Sequence, residues 1–182
     1  MFEYFGLILV VLSWLGGYLL ISRFYNKDLP TISKHAASNR AASQLFATIL
    51  IFVGAAFYWW LIKWFTPHLE LTFIFQVILT ITILCQFIAA LAPDIDGWRG
   101  VTHRWSAWLM AVLYLPLSVL IIISPQMTLI PQIICSLLVA YMLIGFVLVA
   151  IIGKAKSMYL ALQASYIVSF QLIILTAAYY AI

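Results

Sequence analysis

Six long apolar stretches separated by five short polar breaks take up almost all of the 182 residues, and this pattern leaves few folds open. Hydropathy windows of about 19 residues place spans near 4–22, 42–64, 71–92, 105–124, 128–152 and 158–181. Each is long enough to cross a hydrocarbon core of about 30 Å. At that depth every backbone N–H and C=O needs an internal partner, so the spans are helices. The expected fold is therefore all-α: one polytopic membrane helical bundle of six transmembrane helices, a single transmembrane domain over 1–182. With 66% hydrophobic and 8% charged residues, nothing is left over for a soluble domain.

The basic residues give the orientation. Arg23, Lys27, Lys34 and Arg40 fall in the first break, Arg99 and Arg104 in the third, and Lys154 and Lys156 in the fifth; only Lys63 lies on the other side. The positive-inside bias then puts these three breaks in the cytoplasm and both termini on the non-cytoplasmic side, as in a multi-pass protein of a bacterial inner membrane. The net charge of +4 is spread over the rim where anionic headgroups lie, which favours membrane lipids as partners and argues against nucleic acid. The start of the first span has an acid, Glu3, and no base, so a retained helix is expected rather than a cleaved signal. Gly16 and Gly17 offer a smooth surface to a neighbouring helix. Cys85 and Cys135 fall inside spans, where a thiol behaves as a small hydrophobe, and no disulfide framework is implied.

The first break, 23–41, is too long for a plain helical hairpin. Asn26 to Pro30 is turn chemistry, after which Ser33 or Ser38 is suited to cap a helix over 34–41 leading into the second span along the interface. Trp59, Trp60, Trp64, Trp98, Trp105 and Trp108 sit at the levels where rings anchor to the interface. Pro116 falls in the middle of the fourth span, where it removes a helix hydrogen bond, and Pro131 in the first turn of the fifth. No internal repeat is visible, which counts against a transporter built on inverted halves.

Chemistry can reside only where polar side chains gather. The densest stretch runs from Pro93 through Asp94, Asp96, Arg99 and Thr102 to His103 and Arg104. A short turn brings Asp94 and Asp96, closing the third span, to the depth of His103, opening the fourth. Two carboxylates and an imidazole are donors for a divalent metal, held chiefly by Asp94 and His103; in an enzyme, Asp94, Asp96 and His103 would be the catalytic set. The alternative is an ion-pair network closing the helix ends, in which an acid meets Arg40, His103 or Arg104, because charges this near hydrocarbon are costly unless paired. Ser33, His35, Arg40 and Ser43 approach from the first break; with Arg99 and Arg104 they form a candidate binding set, its arginines suited to a lipid phosphate. Deeper polar residues, among them Gln76, Gln86, Gln132, Gln163 and Gln171, are uncharged and read as interhelical hydrogen bonders.

The serine-rich lead-in to the second helix, from Ser33 through Ser43 and Gln44, the Pro93–Asp94 pair closing the third and His103 opening the fourth together resemble the bacterial six-helix membrane proteins of domain-of-unknown-function family 998, themselves distantly similar to the Frag1, DRAM and Sfk1 membrane proteins. The resemblance spans about 5–180 in layout but a dozen positions in motif. It implies six helices and a polar cytoplasmic-side pocket built from Ser33, Asp94 and His103, without an established activity. A weaker likeness is to the membrane hydrolases that include alkaline ceramidases, whose zinc site combines a serine, an aspartate and three histidines; here the last span has no histidine. Asp94, Asp96 and the Thr102–His103–Arg104 run also look like the motif of inner-membrane metal-dependent hydrolases of the LexA-binding type, again without the further histidines. The expectation is a protein that binds a lipid or a protein partner at its cytoplasmic rim, alone or as a homo-oligomer, without a cofactor. A metal-dependent lipid hydrolase is the first alternative and a small-molecule transporter the second.

Overall fold

The computed structural model describes residues 2–152 and 158–180. Six helices in it are long and apolar enough to cross a membrane: α1 (Phe2–Phe24), α3 (Arg40–His68), α4 (Phe73–Leu91), α5 (Trp98–Ile122), α6 (Leu129–Ile152) and α7 (Met158–Tyr180). A single short helix, α2 (Ile32–Ala36), lies in the first break. The expected helical fold with six helices of spanning length is found among the described residues, with spans shifted by a few residues. Lys154 and Lys156 lie outside the described residues.

The lead-in to α3 departs from expectation. Neither Ser33 nor Ser38 caps a helix over 34–41. Thr31 caps α2 by accepting from the Lys34 N–H, the chain turns at Ala37 and Ser38, and Asn39 caps α3 by accepting from the Ala42 N–H. Both caps are extended residues with a side-chain oxygen over the first turn, the geometry that satisfies otherwise orphaned N–H groups.

α3 is 29 residues long and contains two turns of π-helix, Ile49–Val53 and Leu61–Phe65. At the first, the Leu50 carbonyl accepts a bond from the Gln86 side chain of α4 at 2.8 Å. A Cβ on Gly54 would overlap that same Gln86 amide, so the Gln86 side chain as placed crosses where α3 carries a glycine. The second π turn runs into Pro67, which has no N–H to offer the ladder.

Helices α1, α3, α4, α5 and α7 form a closed circuit: α1 packs on α3 and α7, α3 on α4, α4 on α5, and α5 on α7. α6 packs outside it, on α5 and α7. Trp60, expected at the interface, is instead fully buried: its indole donates to the Phe2 carbonyl at 2.9 Å and occupies space that only Gly6 leaves open. Trp59, Trp98 and Trp105 are exposed, as anchors would be. Within the spans, Thr80, Thr82, Ser118 and Ser169 donate to the carbonyl four residues back, so these four hydroxyls are satisfied by their own helix.

Candidate functional site

The first and third breaks meet at one end of the bundle, and Asp94 is the centre of that meeting. It follows Pro93 in the turn after α4, and the turn folds back over the start of α5 because two glycines permit it. Gly97 has φ of 91°, and a Cβ on Gly100 would overlap the Ile95 carbonyl. The result places the Asp94 carboxylate inward, only 3% exposed, while Asp96 two residues on is exposed.

Three groups hold that carboxylate. Arg104 donates to Oδ1 at 3.2 Å, Lys34 Nζ lies 3.7 Å from Oδ1 and donates to the Asp94 backbone carbonyl at 2.9 Å, and Ser33 donates to Oδ2 at 3.2 Å. Since Ser33 has a single hydroxyl proton and spends it on the carboxylate, the 3.1 Å contact with Thr31 has Thr31 as donor. A chain results: Lys34 N–H to Thr31, Thr31 to Ser33, Ser33 to Asp94, each bond polarising the next. Tyr159 of α7 is within electrostatic reach of the same acid, and Gln163 of α7 accepts from the Ile32 N–H at 3.1 Å. One buried carboxylate thus ties α2, α5 and the third break together, with α7 alongside.

The cations are more open than the acid. The side chain of Lys34 is 31% exposed and that of Arg104 36%, against 2% for Asp94. Two positive charges face one negative, so the cluster carries a net positive charge, and both cations keep N–H donors beyond those given to Asp94. This arrangement suits a phosphate better than it suits a cation.

Of the residues singled out in the sequence, Ser33, Asp94 and Arg104 come together. His103 is buried beside them but turned away: its Nδ1 donates to the carbonyls of Ala89 and Ala92, each at 2.8 Å, which fixes the ring against the end of α4. His35 is fully buried on α2, its Nδ1 bonded to the Thr31 carbonyl at 2.7 Å and its ring stacked on Tyr25, with Nε2 lacking a hydrogen-bond partner. Arg40 is exposed and Ser43 half-buried on α3, and no ion pair among the described residues joins Arg40 to Asp94 or Asp96. Arg99 is exposed, its guanidinium over the Trp98 ring. Of the partners expected for the acid, Arg40, His103 or Arg104, it is Arg104 that pairs with Asp94, and Lys34 joins it from the first break.

Among the described residues no group of three His, Cys, Asp or Glu side chains that could hold a metal ion is found. Among the described residues the hydrogen bonds of His103 run to the Ala89 and Ala92 carbonyls and to neither carboxylate. Lys34, Thr31 and Gln163 are the site residues sequence reasoning missed. The signal for the first two was Thr31 standing directly after Pro30 and three residues before Lys34, a cap two residues ahead of Ser33.

A scan against protein-family models finds no match to this chain, and searches of curated proteins and of solved structures likewise return none.

Proposed function

We propose that this is a multi-pass membrane protein that binds an anionic lipid through its phosphate at Lys34 and Arg104. The observation that carries the reading is the asymmetry of the Asp94 cluster: a buried aspartate fixes two half-exposed cations in place while using only part of their donors. Pre-positioned cations bind a phosphate with less loss of side-chain freedom than mobile surface lysines do. The polar end faces the cytoplasm in this proposal, where Arg23, Lys27, Arg40 and Arg99 add a diffuse positive rim, and both termini lie outside in a bacterial inner membrane.

The test is lipid retention. Protein extracted in mild detergent and analysed by native mass spectrometry should keep an anionic phospholipid in preference to a zwitterionic one. Lys34→Gln and Arg104→Gln should each weaken that preference. The triple variant Lys34→Gln, Asp94→Asn, Arg104→Gln should abolish it while avoiding an orphaned buried charge. Equal retention of both lipid classes by wild type and triple variant would overturn the proposal.

A further inference from the structure

An apolar groove of about 480 Å3 opens along the flank between α1, α3 and α7, with Ile32 of α2 at its mouth. We infer that this groove seats one acyl chain of the phospholipid whose phosphate lies at Lys34 and Arg104, an inference that rests on the headgroup reading for its choice of lipid and on the groove itself for its seat.

The groove's length is the first argument. On α7 it runs from Leu160 to Gln171. At a rise of 1.5 Å per residue that is on the order of 16 Å, about half the hydrocarbon thickness and so the depth of one leaflet. Its shape is the second. At the inner end Trp14 donates to Gln171 at 2.5 Å and Gln171 to Ser13 at 3.2 Å, a hydrogen-bonded staple between α1 and α7 that closes the floor at mid-membrane depth. Above the staple Gly16 lets α1 approach α3, since a Cβ there would come within 2.7 Å of Ile49, whereas a Cβ on Gly17 would meet nothing within 4 Å. The two helices are drawn together at the first glycine and left hollow at the second. The charge at the mouth is the third argument: Ile32 lines the groove, and Ser33 and Lys34, the next residues of α2, hold the carboxylate that positions the cations. A lipid lying in the groove has its phosphate at the level of Lys34.

A Cβ on Gly17 meets open space, and Gly17 and Ala164 both line the groove, so Gly17→Leu and Ala164→Leu should each fill it, from α1 and from α7. Wild-type protein exchanged into mixed phosphatidylglycerol and phosphatidylcholine, then analysed by native mass spectrometry, should retain one phospholipid. Gly17→Leu or Ala164→Leu should cut retention of both lipids by at least about fivefold with an unchanged melting midpoint. The charge-neutral triple variant should instead keep the groove's occupant and lose only the preference for phosphatidylglycerol, so the two readings fail separately. Retention by both filled variants within twofold of wild type would overturn the inference, as would a single retained isoprenoid phosphate in place of a phospholipid.

Discussion

Asp94 shows how a single residue can be legible in kind and not in its partners. Its depth and its need for a counter-charge follow from sequence, because a carboxylate at a helix end near hydrocarbon must be paired. Arg104 is among the bases expected to answer it; Lys34 joins from α2, whose cap is Thr31 rather than Ser33 or Ser38. The unequal exposure of the partners fixes an order of stabilities. Asp94→Asn leaves two cations that can turn to water and should cost about 1–3 kcal/mol. Lys34→Gln with Arg104→Gln strands a buried carboxylate and should cost more, about 3–5 kcal/mol. Adding Asp94→Asn to that double variant should recover part of the loss. Unfolding followed in detergent reads all three; a double variant more stable than Asp94→Asn would show that the acid is not paired as described.

Among the elements, the spans were readable because lipid enforces helix wherever about 20 apolar residues occur together. Their interior irregularities were not, since hydropathy does not register a π turn or the glycine beside it. Gly54 and Gln86 form such a pair, one yielding the space the other fills. Gly54→Ala should therefore destabilise by about 1–3 kcal/mol, the usual cost of overpacking. In the double variant with Gln86→Ala the loss should shrink, although the Leu50 carbonyl then lacks its donor; strict additivity of the two changes would sever the link. Trp60 was misread for a related reason: tryptophan at a span end is commonly an anchor, and only Gly6, more than fifty residues away in sequence, marks the place where this ring is buried.

For the molecule as a whole, the alternation of basic breaks makes orientation the most accessible property. In a background lacking Cys85 and Cys135, both buried, an impermeant thiol reagent added outside should label Gln126→Cys and spare Asp96→Cys. The opposite pattern would place the Asp94 cluster on the outer face. The closed circuit of five helices also depends on each span presenting the same faces along its whole length, and here the first π turn of α3 has a consequence for how the chain tolerates change in length. A π turn holds one residue more than the α-turn it replaces. Removing a single residue from within Ile49–Val53 should return α3 to a regular helix with both halves still facing their neighbours. The same deletion in the middle of α4 would rotate everything beyond it by about 100° and pull its buried face out of the circuit. Deletion scanning should thus find a narrow tolerant window in α3, and Gln86→Leu should widen it, because a regular helix no longer leaves the Leu50 carbonyl for that side chain to satisfy.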